Sequence, residues 1–207
     1  GSSTVLHRYY EGGSPDDLWA VPSLGIDPAT GREVFIKLDG TRTFTYSADD
    51  KVVVGDTDPR FYGNVYTNVF YKGFSLYIMG SFKCGGYLYN VTRASRVEGT
   101  TGRTNVDRRA FDSRWKEVGD IALYRNITEH SVPQQTDRFV EKENVLTITS
   151  VNLGYEFPQR ICQKMMLRNL RLGVNLSDIL RFSNVKVERG LDYLYGNGFE
   201  FTLSTTF

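Results

Sequence analysis

The segment from Phe199 to Phe207 alternates strictly between two kinds of side chain. One set of alternate positions is mainly apolar and holds Phe199, Phe201, Leu203, Thr205 and Phe207. The other set is polar and holds Glu200, Thr202, Ser204 and Thr206. Because successive side chains of a β-strand point to opposite faces, this pattern predicts a strand with one apolar and one polar face. The edge strand of an ordinary soluble sheet has this pattern too, so the other segments of the sequence are needed to distinguish a soluble sheet from a membrane-spanning one.

Four earlier segments alternate in the same way, at residues 61–71, 74–84, 151–157 and 170–177. The first two are separated only by Lys72 and Gly73, and glycine supplies the positive φ that a short hairpin needs. These two segments are longer than the usual strand of five or six residues. The sequence therefore predicts five long strands, with weaker strands near residues 18–25 and 34–46.

The alternation also predicts which side chains share a face of the sheet. We expect one continuous, lipid-directed face to contain Phe74, Leu76, Ile78, Phe82, Leu170, Leu172, Val174, Phe201 and Leu203. We expect the opposite face to contain Ser75, Tyr77, Ser81, Arg171, Asn175, Thr202 and Ser204. Leu146 and Ile148 are out of step with Val151, which predicts a β-bulge or a loop edge near Thr149.

A long polar segment from Val91 to Asp137 separates the second and third long strands. Its polarity and glycine content are incompatible with a lipid-facing strand, so we expect a surface excursion. Within it, Asp107–Lys116 is the best helix candidate, because its apolar residues form a stripe and Gly119 follows its end.

Composition and charge limit the classes of protein to which this chain can belong. The 207 residues contain 25 Lys and Arg against 24 Asp and Glu, which gives no basis for a nucleic-acid partner. No apolar run approaches the 18 residues of a membrane-spanning helix. Membrane-spanning strands remain compatible with the mean hydropathy of −0.35, because they are apolar on one face only. The N-terminus lacks a methionine and a signal peptide, so we expect a piece of a longer protein.

The sequence contains no recognisable catalytic or metal-binding constellation, and we expect no cofactor. His7 and His130 are far apart and lack a cluster of further ligands, and Cys84 and Cys162 have no metal spacing. The run Asp56-Thr57-Asp58 resembles a fragment of a calcium loop but lacks its glycine and its bidentate glutamate. Calcium bound in a loop stays open at this point.

Several short motifs, in order, resemble the C-terminal part of SusC/RagA-type TonB-dependent outer-membrane transporters of the Bacteroidetes. The residues that carry the resemblance are 18–31 (LWAVPSLGIDPATG), 52–60 (VVVGDTDPR), 71–74 (YKGF), 85–90 (GGYLYN), 114–116 (RWK) with Gly119-Asp120, 138–140 (RFV), 153–158 (LGYEFP) and the last strand. The resemblance implies a 22-stranded barrel in the Gram-negative outer membrane, an N-terminal plug, energy coupling through TonB and a SusD-like surface lipoprotein.

The resulting expectation is an all-β, antiparallel segment of a transmembrane β-barrel, with long loops and one short helix. Residues 1–207 would form a C-terminal barrel segment, with the plug and the TonB-contacting segment outside this chain. About six strands cannot close a barrel, for which eight is the practical minimum. The parent protein would import oligosaccharides or other large nutrients and would not be an enzyme.

The last strand would also carry a signal for the barrel-assembly machinery. The resemblance places this signal on Phe199, Phe201, Leu203 and Phe207. The main alternative is a soluble β-sandwich that binds carbohydrate, which would not depend on detergent. A secreted β-rich hydrolase domain is a third interpretation, and the lack of an acid/base pair argues against it.

Overall fold

The computed structural model describes residues 6–100, 106–129, 131–186 and 196–207. The chain divides into two compact units. The first unit comprises Gly1–Pro59 and Gly86–Lys142, and the second comprises Arg60–Gly85 and Glu143–Phe207. Each unit contains residues from both halves of the sequence, so both are built from contacts that are distant along the chain.

The first unit contains short strands arranged in two small antiparallel sheets. Its strands are β1 (Asp17–Ala20), β2 (Ser23–Ile26), β3 (Glu33–Ile36), β4 (Arg42–Thr43) and β5 (Val52–Asp56). One sheet pairs β1 with β5, and the other has the order β2-β3-β4. The predicted strand near residues 18–25 is thus two strands, and so is the one near residues 34–46. Pro22 cannot donate a ladder hydrogen bond, and Gly40 adopts a φ of +82° in the turn that separates β3 from β4.

The helical segments of the first unit are short. They are 3₁₀ turns at Ala48–Asp50 and Asp137–Phe139, a π-helical turn at Arg93–Glu98, and α1 at Arg109–Asp112. The predicted helix over Asp107–Lys116 is therefore wrong in length. Arg114 instead forms an isolated bridge with Tyr124, and the indole N–H of Trp115 donates to the carbonyl oxygen of Pro28 at 2.9 Å.

The polar segment 91–137 is not a simple surface excursion. Its described residues contribute no strand to the five long ones, as predicted. However, Val97, Ala110 and Tyr124 from this segment form a buried apolar cluster. The prediction of a purely superficial loop was wrong, because apolar residues spaced irregularly along the segment meet in three dimensions.

The second unit is an antiparallel sheet with the simplest possible strand order. It contains β6 (Phe61–Tyr71), β7 (Phe74–Tyr89), β8 (Val140–Glu156), β9 (Asn169–Ser183) and β10 (Gly198–Thr206). Neighbours in sequence are neighbours in the sheet, in the order β10-β9-β8-β7-β6. These are the five long strands that the alternation predicts.

The connection between β6 and β7 is the predicted hairpin turn. Lys72 and Gly73 form a two-residue turn with φ values of +47° and +87°. A side chain at Gly73 would bring its Cβ within 2.7 Å of the carbonyl oxygen of Glu156, so the turn requires glycine for space as well as for φ. A short helix, α2 (Gln159–Lys164), lies between β8 and β9 and was not predicted. Among the described residues, no helix combines the length and apolar character needed to span a membrane.

Candidate functional site on the long-stranded sheet

The strand register of the second unit sorts its side chains into an apolar and a polar face. Leu153 lies opposite Val174, and Val174 lies opposite Phe201, in one row across β8, β9 and β10. The apolar face continues onto β7, because the rings of Phe74 and Tyr155 have centroids 4.5 Å apart. Phe201 is 80% exposed, so this face has no covering layer in the second unit.

The register confirms the predicted sorting of side chains between the two faces. Each member of the predicted apolar set has the expected parity in β7, β9 or β10. Leu170 differs in burial: it is only 8% exposed at the end of β9 next to α2, whereas Leu172 is 46% exposed. The direction of the apolar face towards lipid stays a prediction.

The predicted bulge at Thr149 is present. The register between β8 and β9 shifts between Ile148 and Ser150, where Thr149 faces two residues of β9, Asp178 and Ile179. Asp178 takes a left-handed φ of +53° there. The methyl end of Ile148 lies 3.5 Å from the Cβ position of Gly80, on the apolar face. The bulge therefore keeps apolar residues on one face on both sides of the parity change.

The polar face presents a row of hydrogen-bonding side chains across all five strands. Asn68 pairs with Tyr77, and Asn152 and Glu200 both pair with Asn175. The hydrogen bond from the Glu156 N–H to the Gly73 carbonyl aligns β7 with β8 so that Tyr77 lies opposite Asn152. Within this row the Asn175 amide donates to Glu200 at 3.4 Å.

A groove of about 430 Å³ runs beside this polar row. Gly154 and Gly173 pair with each other and leave its floor without side chains. Arg171 and Ser75 stand over Gly154: a Cβ at Gly154 would lie 2.5 Å from Ser75 Oγ and 3.1 Å from Arg171 Nη2. The remaining lining residues are Asn68, Phe70, Tyr77, Asn152, Leu153, Val174, Asn175, Thr202 and Ser204. The groove can hydrogen-bond a polar solute, but its residues form no nucleophile–base pair.

The residues of the predicted assembly signal lie together on β10 and just beyond it. Phe199, Phe201 and Leu203 share the apolar face, opposite Leu176, Val174 and Leu172, in that order. Phe207 follows the end of β10 at Thr206 and is 82% exposed. Their placement agrees with the predicted strand, and their role in assembly stays a prediction.

The other candidate residues from the sequence remain scattered. The His7 ring lies 3.1 Å from the backbone oxygen of Asp17, and His130 lies outside the described residues. The described residues contain no group of three or more His, Cys, Asp or Glu side chains arranged to hold a metal ion. Asp56 instead accepts a hydrogen bond from the Asp58 N–H within the chain's own turn, and both cysteines are free thiols.

Sequence reasoning missed a buried ionic cluster in the first unit. The Arg138 guanidinium donates to Glu33 at 2.7 and 2.8 Å and to Glu98 at 2.8 and 3.0 Å. Arg125 donates to the same Glu98 at 2.6 Å, and Arg114 donates to four backbone carbonyls. These residues are far apart in sequence, so no spacing rule could have found the cluster.

Two ionisable groups in and beside this cluster, Arg138 and Asp137, have shifted pKa values. Burial disfavours the charge of Arg138, but hydrogen bonds and charge from Glu33 and Glu98 outweigh burial and raise its pKa. Burial raises the pKa of the Asp137 carboxyl, and a hydrogen bond from the Ser23 N–H partly opposes that change. Because the arginines and glutamates of the cluster are paired with each other, we interpret the cluster as structural.

The architecture and the two-faced sheet match an all-β fragment of a barrel protein. No family model matches the chain. The chain is 25% identical over 177 residues to "TonB-dependent receptor P3" of Formosa agariphila (strain DSM 15362 / KCTC 12365 / LMG 23005 / KMM 3901 / M-2Alg 35-1), an alignment covering 84% of this chain and 17% of that protein. The chain thus spans about a sixth of the length of this curated relative.

Solved structures give the same picture of the fold. The chain is similar to the structure of the RagAB peptide transporter, with a TM-score of 0.66, 19% identity and coverage of 84% of this chain and 20% of that chain. The RagAB peptide importer in its 'closed-closed' state has a TM-score of 0.68 and 18% identity, and the match covers 89% of this chain and 22% of that chain. The 'open-open' state has a TM-score of 0.66 and 20% identity, and the match covers 90% of this chain and 21% of that chain. These findings support the resemblance to SusC/RagA-type TonB-dependent transporters, as a partial chain.

Proposed function

We propose that this chain is part of the wall of an outer-membrane nutrient importer. The observation that carries the proposal is the sorting of side chains on a sheet of long antiparallel strands, with exposed apolar residues on one face and a polar groove on the other. In a transmembrane barrel the apolar face contacts lipid and the polar face lines the interior. The alternation of Val174 with Asn175, and of Phe201 with Thr202, gives each strand both surfaces.

The open edges of the sheet support a barrel that other strands complete. Among the described residues, β6 pairs only with β7 and β10 pairs only with β9. Each unsatisfied backbone group in lipid would cost several kcal/mol, so a sheet with two open edges cannot stand alone in a membrane. Strands outside this chain would pair with both edges, and the family resemblance suggests 22 strands in all.

Substrate, energy source and partners follow from the relatives as proposals. The similar RagAB structures are those of a peptide transporter and importer, which supports uptake of large nutrients such as peptides. The family resemblance adds oligosaccharides as a second candidate substrate. The resemblance to SusC/RagA-type transporters supports a SusD-like surface lipoprotein as a partner. TonB would supply energy through segments outside this chain, and the protein would move its substrate without breaking bonds.

The direction of the two faces can be tested in the full-length protein. We would replace Cys84 and Cys162, introduce Leu203→Cys or Thr202→Cys, and label each single thiol with a small fluorophore in lipid vesicles. The two positions are adjacent on β10 and lie on opposite faces. We expect brominated lipid to quench the label at 203 and aqueous iodide to quench the label at 202.

The same experiment tests the alternative of a soluble β-sandwich. In a sandwich, a second sheet covers the apolar face, so brominated lipid would quench neither label. Quenching of the label at 202 by lipid would show that the faces are reversed. Either result would overturn the proposed barrel wall.

A further inference from the structure

The floor of the groove on the polar face is a pair of glycines that brings functional side chains close to the backbone. Gly154 and Gly173 lie opposite each other on β8 and β9. The Arg171 guanidinium reaches from β9 across Gly154 towards β7, where its Nη2 lies 3.4 Å from Ser75 Oγ. Any larger residue at 154 would displace Ser75 or Arg171, because its Cβ would lie within about 3 Å of both side chains.

Arg171 lines the groove and, like several other arginines, has no carboxylate partner among the described residues. Arginines at 93, 108, 109, 125, 138 and 181 each form an ion pair with Asp or Glu. Across the residues that the structure describes, no acidic oxygen lies within ion-pair distance of Arg171, although Glu156 is its neighbour across β8 and β9. A guanidinium has five N–H donors, and among the described residues the long contact to Ser75 is the one hydrogen bond that they make.

The surroundings of Arg171 match a bound carboxylate with polar groups attached. A planar guanidinium binds a carboxylate through two parallel hydrogen bonds, which a lysine cannot reproduce. The amides of Asn152 and Asn175 and the hydroxyl of Tyr77 line the same groove and can bond the uncharged part of the solute. Glu200, bonded to Asn175 on the far side of the polar row, disfavours an anion at that end. Arg171 is the charged residue among the described residues that line the groove, so it is the group to which a carboxylate would bind, with Glu156 beside it across β8 and β9.

We propose that this glycine-floored groove is a subsite for the carboxylate of a transported solute, with Arg171 as its anchor. The inference rests on the proposed function, because it requires the polar face to line the transport path. Two sources supply the same chemistry: a uronic acid of an oligosaccharide or the C-terminal carboxylate of a peptide. The groove is open enough to admit either chain along the polar row.

The test is a binding measurement by calorimetry on the purified full-length transporter in detergent. The probes are a galacturonate trisaccharide beside its methyl ester, and trialanine beside its C-terminal amide, so that each pair differs only in charge. We expect at least one charged probe to bind about 10- to 100-fold more tightly than its neutral counterpart, the range for hydrogen bonds to a charged group. The pair that shows this preference identifies the source of the carboxylate.

Three variants make the assignment specific. Arg171→Gln should abolish the preference, and Arg171→Lys should restore only part of it because a lysine lacks the planar fork. Arg181→Gln is the matched control, since Arg181 is on the same strand but is paired with Glu143 at 2.6 Å. The control should leave the preference of the wild-type protein unchanged.

Several outcomes would overturn the subsite. One is the absence of a charge preference in the wild-type protein, and another is an unchanged preference in Arg171→Gln. A third combines two results: the wild-type protein shows no charge preference, and Arg171→Gln has a lower melting temperature than the wild-type protein in the absence of solute. Together they would mean that a carboxylate elsewhere in the full-length protein occupies Arg171. The quenching experiment separates these failures from failure of the proposed function: a water-facing label at 202 with no charge preference rejects the subsite alone.

Discussion

The two units of this protein place charged and apolar residues in opposite environments. The first unit buries charge: Glu33, Glu98 and Arg125 are each at most 6% exposed. The second unit exposes apolar side chains, and Phe201 and Leu203 are 80% and 65% exposed. The first unit thus pairs the charges of this cluster internally, whereas the second carries rows of exposed apolar side chains along one face of its sheet, which water disfavours. The difference agrees with the proposal that the apolar face of the second unit contacts lipid.

The two units also illustrate two ways of stabilising a fold. A buried ionic cluster holds only while every partner is present, because one missing partner leaves an uncompensated charge. A two-faced sheet tolerates many exchanges within a face, but a polar residue on the apolar face changes its compatibility with lipid.

The largest effect should come from breaking the buried cluster. Arg138→Met leaves Glu33 and Glu98 without the main cation that neutralises them, so we expect a loss of about 3–5 kcal/mol in local stability. Amide hydrogen exchange in the full-length protein, read over the first unit, measures this loss. The control is Arg108→Met, which removes an exposed pair with Asp112 and should cost about 0.3–0.5 kcal/mol. Similar protection in both variants would contradict the structural role of the cluster.

A charge on the apolar face of the second unit should have the next largest effect. Leu153→Arg places a guanidinium among Val174 and Phe201, at an expected cost of about 2–4 kcal/mol if that position lies near the centre of the membrane. The folded, inserted fraction can be measured by the heat-dependent gel mobility of outer-membrane barrels. Asn152→Arg is the matched control on the adjacent position of the opposite face and should insert normally. Equal loss in the two variants would argue against different environments for the two faces.

The difference between the units also explains what the sequence could predict. The strands of the second unit were predictable because a period of two appears directly in the residues, and the parity change around Thr149 indicated the bulge. The turn at Lys72-Gly73 was predictable from glycine alone. The sorting of groove residues such as Asn175 and Thr202 onto one face followed from the same alternation.

The structure of the first unit could not be predicted from the sequence, for a physical reason. Its strands are two to five residues long, too short for a period to be recognised, and its core comes from distant positions such as Val97 and Tyr124. The cluster around Arg138 depends on side chains that only the fold brings together. The groove floor was missed as well, because the pairing of Gly154 with Gly173 requires knowledge of the register between β8 and β9.

The last strand offers a smaller test of the apolar surface. Phe207→Ala should lower the amount of inserted barrel and leave transport per inserted molecule nearly unchanged, because Phe207 follows β10 and continues the parity of Phe201 and Leu203. Burial of a whole Phe side chain stabilises by about 1.5–3 kcal/mol, which sets the upper limit of the effect. Surface abundance and uptake should be measured together, with Thr206→Ala as control. Normal abundance with defective uptake would place Phe207 in the transport path instead.

The smallest expected effect is a pH dependence in the first unit. Burial raises the pKa of Asp137, so the folded state binds its proton more tightly than the unfolded state does. The stabilising contribution of this carboxyl is complete below its unfolded pKa and is lost as pH rises through the folded pKa. Asp137→Asn should therefore gain stability relative to wild type as pH rises from 3 to 7, by about 1 kcal/mol or less, because the amide oxygen can still accept from Ser23.

Asp120 provides a control of opposite sign for this titration. Hydrogen bonds from the backbone N–H groups of Glu117 and Lys116 lower the pKa of its exposed carboxyl. Asp120 therefore stabilises the fold above its unfolded pKa, and that contribution is lost as pH falls through the folded pKa. Asp120→Asn should lose stability relative to wild type over the pH range in which Asp137→Asn gains it. Hydrogen exchange at several pH values would show the two trends, and parallel trends would mean that burial does not dominate the titration of Asp137.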